Sequence, residues 1–162
     1  MDQQQKVYQK LDELHIPYEV MNHPAVFTME EMDELGITRH GDVCKNLFLR
    51  DAKGKRHFLV VLNKDKQANL KDIRDQLGCT PLSFASEERL AKHLQLSNGA
   101  VTPLGVINDA SHAVEVVFDK DLVGKVKLGI HPNDNTATVW IAFDQLKKLI
   151  EHNGNPIAYV TI

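Results

Sequence analysis

Cys44, Lys45 and Asn46 stand in a row at the head of the apolar run DVCKNLFLRD. A nucleophilic cysteine needs its thiolate favoured below the free value of about 8.5, by a histidine, a cation or a helix N-terminus. Lys45 is the adjacent cation. On a strand, however, neighbouring side chains point to opposite faces, which takes Lys45 away from the Cys44 sulfur. Free cysteines are also among the most commonly buried residues, so Cys44 and Cys79 are expected to fill the core. Lys45 has two readings. It is either a solvated strand end, or a point charge for a phosphate or carboxylate with Asn46 orienting a polar group beside it. The residues alone leave both open.

The densest polar stretch is GIHPNDNTATV, where His131 is followed by Asn133, Asp134, Asn135 and Thr136. Pro, Asn and Asp are turn formers with local hydrogen bonds, so a plain turn accounts for most of it. The functional reading is a loop that presents His131 as a proton carrier or donor. A second loop, GAVTP from Gly99 through Thr102 to Pro103, offers backbone N–H groups beside a glycine free to take positive φ, and could cradle an oxyanion or hydroxyl. No P-loop, dinucleotide fingerprint, nucleophile elbow or His-Glu-x-x-His pattern occurs. His23 and His131 have no carboxylate or cysteine at ligand spacing, and the two cysteines form no CxxC pair, so neither a metal nor another cofactor is expected.

The 162 residues suit one domain spanning 1–162, and 43% hydrophobic with 25% charged residues provides for a packed core. A formal net charge of −3 argues against coating long nucleic acid such as DNA, though not against gripping a short nucleic-acid end. The start, MDQQQKVYQKLDEL, lacks the apolar centre of a signal peptide, and no apolar run approaches the ~20 residues that span a bilayer. A soluble, reduced, cytoplasmic protein without membrane contact is the expectation.

These candidates need elements to hold them. Val7, Leu11 and Leu14 repeat at helical spacing over 2–14, a helix that Pro17 ends, and YEVM follows as a short strand. Thr28 and Glu31 predict a capping box for a helix that Gly36 stops. Strands are predicted at 45–50 and 57–62, joined through Gly54. HFLVVL is apolar on both faces, which places it centrally in a sheet covered on both sides. NLKDIRDQLG, capped by Asn69 and stopped by Gly78, and SEERLAKHL, capped by Ser86, read as helices. SNGAVTPLGVIND reads as a loop followed by a short strand. AVEVVF, KVKLGI, TATVWI and PIAYVTI read as strands, and FDQLKKLIEHNG as a helix with Phe143, Leu146, Leu149 and Ile150 inward. Strict βαβ alternation is absent, so the fold class is α/β of the α+β type: a mixed, largely antiparallel sheet with surrounding helices.

Taken in order, CKNLFLRD, GAVTPLGVIND and HPNDNTATVWI resemble the free-standing relatives of the editing (insertion) domain of bacterial prolyl-tRNA synthetase, the YbaK-like superfamily. HPAVFTMEEMDELG and VEVVFDKDL fit as well, and the likeness runs over nearly the whole chain. KNLFL and HPNDNTAT are signatures of the branch that deacylates alanyl-tRNA(Pro). The branch acting on cysteinyl-tRNA(Pro) usually carries GGxSPxG instead.

What the resemblance implies is double-sieve editing. A pocket made for proline cannot strongly exclude a smaller residue, since a missing methylene is worth only ~1–3 kcal/mol, and a second, smaller site hydrolyses the error. By the resemblance, Lys45 holds the 3′-terminal phosphate or ribose region and Asn46 orients the aminoacyl end. Backbone N–H groups of the Gly99–Pro103 loop, Thr102 included, position the ester carbonyl and the attacking water. His131 stands near the substrate with Asn135 in the same loop. Arg50 meets acceptor-stem phosphate, and Phe27, Met29 and Leu47 set the sieve. Water attacks with help from the substrate 2′-hydroxyl and no covalent enzyme nucleophile. The implied partners are the tRNA(Pro) acceptor end carrying alanine and prolyl-tRNA synthetase. Other readings are a deacylase for another small aminoacyl group such as serine or cysteine, a catalytically silent module that binds charged tRNA or a synthetase, and a thiol enzyme using Cys44. Lys64, Lys66, Lys71 and Arg74 form either a basic edge for the acceptor stem or an ordinary solvated helix face.

Overall fold

The computed structural model describes residues 2–162. Strand β3 (His57–Asn63) is the anchor of the sheet, because Phe58, Leu59, Val60, Val61 and Leu62 are each fully buried. Leu59 and Val61 enter the main core, whereas Phe58, Val60 and Leu62 enter a second core on the other face. Each such side chain withdrawn from water is worth about 1.5–3 kcal/mol, so a strand apolar on both faces belongs between two layers, as its sequence implied.

Around it lie β1 (Glu19–Asn22), β2 (Asp42–Arg50), β4 (Ser83–Phe84), β5 (Val114–Asp119), β6 (Leu128–Ile130), β7 (Ala137–Ile141) and β8 (Ile157–Val160). The sheet runs β1-β7-β6-β2-β3-β5-β8, with β4 added on β2. Four pairings are antiparallel (β1 with β7, β6 with β7, β2 with β3, β2 with β4), and three are parallel (β2 with β6, β3 with β5, β5 with β8). The expected mixed sheet is therefore present, with antiparallel pairs ahead by one.

The helices are α1 (Gln3–Glu13), α2 (Met29–Glu34), α3 (Leu70–Leu77), α4 (Glu87–Leu94) and α5 (Phe143–Asn153). Thr28, Asn69 and Ser86 cap α2, α3 and α4 through backbone N–H groups three residues on, as their types demand. Leu90 and Leu94 of α4 and Phe143, Leu146, Leu149 and Ile150 of α5 enter the main core.

Two expectations change. No strand follows the Gly99–Pro103 loop. Thr102 instead caps a 3-10 segment, Pro103–Asn108, its hydroxyl accepting from the Leu104 N–H at 3.3 Å. Pro103 fixes φ for a helical start and has no N–H to give a sheet ladder, which favours that turn. The capping box of α2 is also altered. The Glu31 carboxylate accepts from the Thr28 hydroxyl and from the Phe27 N–H, one residue earlier than the usual pattern, and so ties down Phe27.

Gly129 shows how tightly the β6 side is built. A Cβ there would lie 2.5 Å from Trp140 Cζ3. Gly129→Ala is expected to destabilise the protein by about 1–3 kcal/mol, the usual cost of overpacking, measured as a lowered urea midpoint at unchanged m-value.

Candidate active site

At the N-terminal half of β2 the sheet closes over a cavity of about 20 Å³, lined by Met29, Met32, Val43, Cys44, Asn46, Gly129, Ile130, His131 and Thr138. Helix α2 contributes Met29 and Met32, three residues apart and so on one helix face. Strands β6 and β7 supply Gly129, Ile130 and Thr138, and the loop between them supplies His131. The walls are thus largely apolar, with a few polar groups set into them.

Each polar group has a definable state. His131 Nδ1 lies 3.0 Å from the Ala137 carbonyl, which can only accept, so Nδ1 carries the proton and Nε2 keeps its lone pair. Burial, chiefly, with the adjacent His23 adding to it, holds His131 below the ordinary histidine value, so it is neutral at pH 7. His23 is fixed in the same tautomer, with Nδ1 2.8 Å from the Pro24 carbonyl. Its Nε2, 2.9 Å from Thr138 Oγ1, then accepts the threonine hydroxyl proton. The two rings stand 6.4 Å apart. Asn46 Oδ1 is buried and has no hydrogen-bond partner within the protein. An unpaired buried amide oxygen costs about 1–3 kcal/mol, a cost more often met at functional sites than elsewhere.

The thiol beside them is inert. Cys44 is buried, donates weakly to the Asp42 carbonyl at 3.8 Å, and has its pKa pushed up to about 12 by desolvation and then by Asp42. It lines the cavity as a small apolar group, in keeping with the core role its sequence suggested.

Not every candidate reaches this cavity. Asn46 and His131 line it together, and Met29 joins them. Lys45 and Leu47 do not. Alternation along β2 puts them on the face opposite Asn46, where they line a separate open groove of about 290 Å³ with Gln67, Ala68, Leu70 and Phe84, whereas the cavity reaches β2 from both faces, through Val43 as well as Cys44 and Asn46. Phe27, Gly99 and Asn135 form a cluster of their own. A Cβ on Gly99 would lie 3.1 Å from the Phe27 ring and 3.2 Å from Asn135 Nδ2, so this glycine supplies room, and its φ is not positive. Asn135 Nδ2 donates to the Val26 carbonyl at 2.9 Å. Phe27 remains 72% exposed. Thr102 and Pro103 are buried and serve the 3-10 segment, away from the cavity lining. Arg50 sits at the far end of β2, its guanidinium donating to the Asp51 and Ala52 carbonyls at 3.1 Å each.

The chain belongs to the aminoacyl-tRNA editing domain family. The family model matches residues 23–149. The prolyl-tRNA editing protein ProX of Acetoanaerobium sticklandii is 52% identical over 96% of this chain and 94% of its own. The prolyl-tRNA synthetase associated domain-containing protein 1 of Danio rerio is 35% identical over 97% of this chain and 86% of its own. A crystal structure of a candidate trans-editing enzyme for prolyl tRNA synthetase superposes with a TM-score of 0.75 at 20% identity, covering 100% of this chain and 98% of that one, and shows the shared fold. No helix among the described residues is long and apolar enough to cross a membrane.

Sequence reading did not single out Met32, Gly129 or Thr138. Met32 had a signal, its i+3 spacing from Met29. Thr138 had none, because a lone threonine in a strand looks like any other. The basic edge also resolves. Lys64 pairs with Asp33 and Asp65, Lys66 with Asp119 and Asp121, and Arg74 with Asp75, so three of those four cations carry their own counter-charges.

Elsewhere, desolvation, followed by the neighbouring His93 and Arg89 charges, lowers the pKa of buried His57 to about 4. A group whose folded pKa is depressed stabilises the fold above its unfolded value and loses that contribution as pH falls. Stability is therefore expected to decline from about pH 6.5 toward pH 4, with a shallower decline in His57→Gln, measured by urea midpoints across that window. Cys44 is expected to resist iodoacetamide at pH 8 in the native protein and to react once the protein is unfolded.

Proposed function

We propose that this chain is a free-standing editing hydrolase that removes alanine from alanyl-tRNA(Pro). The observation that carries the reading is the cavity itself: about 20 Å³, largely apolar-walled, with Asn46 and His131 both in its lining. Such a volume holds one water-sized group and, by the same measure, an alanine methyl. Proline carries two further ring carbons and would have to displace Met29 or Met32. Size exclusion of this kind turns a weak preference for proline into a strong one over two sites.

The chemistry requires little beyond positioning. Water adds to the ester carbonyl carbon. The bond from that carbon to the ribose oxygen then breaks, and the oxygen leaves with a proton as a free hydroxyl, giving alanine and intact tRNA. Neutral His131, with its Nε2 lone pair, is suited to accept a proton from the attacking water, directly or through the neighbouring ribose hydroxyl. Asn46 orients the aminoacyl group. Lys45, across β2, offers a point charge in the groove beside Phe84, which suits the phosphate or ribose of the terminal nucleotide. The substrate partner is thus the charged acceptor end of tRNA(Pro), and prolyl-tRNA synthetase is the partner that makes the error.

The test is hydrolysis of labelled alanyl-tRNA(Pro) beside prolyl-tRNA(Pro) and cysteinyl-tRNA(Pro). Loss of alanine alone is expected; equal loss of all three would remove the size argument. His131→Ala is expected to lower kcat/KM about 100-fold, and the parent rate should fall as pH drops below the histidine range. Cys44→Ala should keep its activity. Met32→Ala, by enlarging the cavity, is expected to admit prolyl-tRNA and cut the discrimination at least tenfold, read as the ratio of the two kcat/KM values.

A further inference from the structure

Strand β2 is paired on one side along its whole length and on the other only at its ends. The Val43 carbonyl accepts from Lys64 N–H at 3.0 Å, and the register with β3 is unbroken from Cys44 opposite Asn63 to Arg50 opposite His57. In an antiparallel ladder the backbone groups of alternate residues face the same partner. Those of Val43, Lys45, Leu47 and Leu49 therefore face β3. Those of Asp42, Cys44, Asn46 and Phe48 face the other way. On that side β6 pairs with Asp42 and Val43, and β4 with Leu49 and Arg50. The Asp42 N–H donates to Lys127, and the Phe48 carbonyl accepts from Ala85. Between these two strands the N–H and C=O of Asn46 meet a gap in the sheet, with no protein partner among the described residues.

We propose that this gap is the docking edge for the aminoacyl group, which completes the sheet there as a strand one residue long. This rests on the editing reading above and says how the substrate is held. An amino acid esterified through its carboxyl carries an α-ammonium donor and a carbonyl acceptor on one residue. That is the complement of one hydrogen-bonded antiparallel pair, in which two opposed residues exchange both backbone bonds. Asn46 C=O accepts from the α-ammonium, and Asn46 N–H donates to the ester carbonyl. When water adds, the carbonyl oxygen becomes an oxyanion and the same N–H stabilises it.

The side-chain geometry agrees. Directly opposed residues in an antiparallel pair place their side chains on the same face. The Asn46 side chain lines the cavity beside Cys44 and Ile130, so the substrate Cβ enters the cavity from that face, and Met29, Met32 and Thr138 close it from the other. The Asn46 Oδ1 is buried and unpaired. On the opposite face of β2, the groove of Lys45, Leu47 and Phe84 receives what lies beyond the ester. Asn46 is thus a catalytic residue through its main chain, and its backbone N–H performs the task that the sequence assigned to the Gly99–Pro103 loop.

The test uses the intact, 15N-labelled protein and 3′-deoxy-3′-(alanylamino)adenosine, an amide that cannot be hydrolysed as an ester. The Asn46 backbone amide is expected to shift on titration and to exchange its hydrogen more slowly. The propionyl analogue, which lacks the α-amino group, should bind at least tenfold more weakly. Movement of His131 and Thr138 signals with an unmoved Asn46 amide would overturn the proposal, and so would no response at all. Replacing the amide at Asn46 by a backbone ester should lower kcat on alanyl-tRNA(Pro) about 100-fold with a smaller effect on KM. If the ester protein fails to fold, the titration alone decides. Hydrolysis by the parent is measured in parallel. A responding amide without hydrolysis sinks the editing reading and leaves the docking edge standing; hydrolysis with a silent amide does the reverse.

Discussion

The change of partner along β2 is the constraint on which the rest depends. One strand spans two sheet neighbourhoods, held to β6 at its start and to β4 at its end, and only β3 follows it throughout. Such a strand would fray without a rigid backing. The backing is β3, fully buried on both faces, and its burial fixes the register of β2 and hence which residues face the gap. A slip of one residue would take Cys44 and Phe48 out of the main core and move Asn46 to the other face of the sheet.

Economy of polar groups defines the cavity. Within the polar loop, Asp134 accepts from the Thr136 N–H and hydroxyl at 2.8 and 2.6 Å, and the Asn135 amide is engaged with Val26. Those side chains hold the turn and have little left to offer a substrate. His131 Nε2 and Asn46 Oδ1 are without a partner among the described residues and belong to the cavity wall, whereas Asn133 Oδ1, buried and also unpaired, lies outside it. Burial acts on the cavity side chains in one direction: it keeps His131 neutral and Cys44 protonated, so the wall carries no charge of its own. A base is available there and a thiolate is not.

Much of this was legible in the sequence, for physical reasons that can be named. HFLVVL announced a strand buried on both faces because its apolar run is short, partly β-branched and preceded by a Gly-containing turn. The period-two rule separated Cys44 from Lys45. By the same rule Lys45 parts from Asn46, which a pairing of the two by sequence proximity overlooks. Thr28, Asn69 and Ser86 marked helix starts through their side-chain oxygens. Strand order was hidden, because β2 meets β6 across about eighty residues of chain and only the folded sheet brings Val43 beside Gly129. Strand β4, two residues long, has no periodicity to detect. The Gly99 loop misled because glycine and proline mark a break in regular structure without saying which way the chain turns. Here the glycine makes space for Phe27, and Thr102 and Pro103 start a 3-10 turn.

The account's central claim is that a small residue enters the cavity of Asn46 and His131 while its nucleotide stays outside. The most direct measurement is a crystal structure of the protein with the alanylamino-adenosine amide bound. The account predicts the alanyl methyl between Met29, Met32 and His131, with the adenosine on the Lys45 and Phe84 side of β2. An alanyl group lodged instead in the open groove of Lys45, Leu47 and Phe84, with the cavity unchanged, would contradict it.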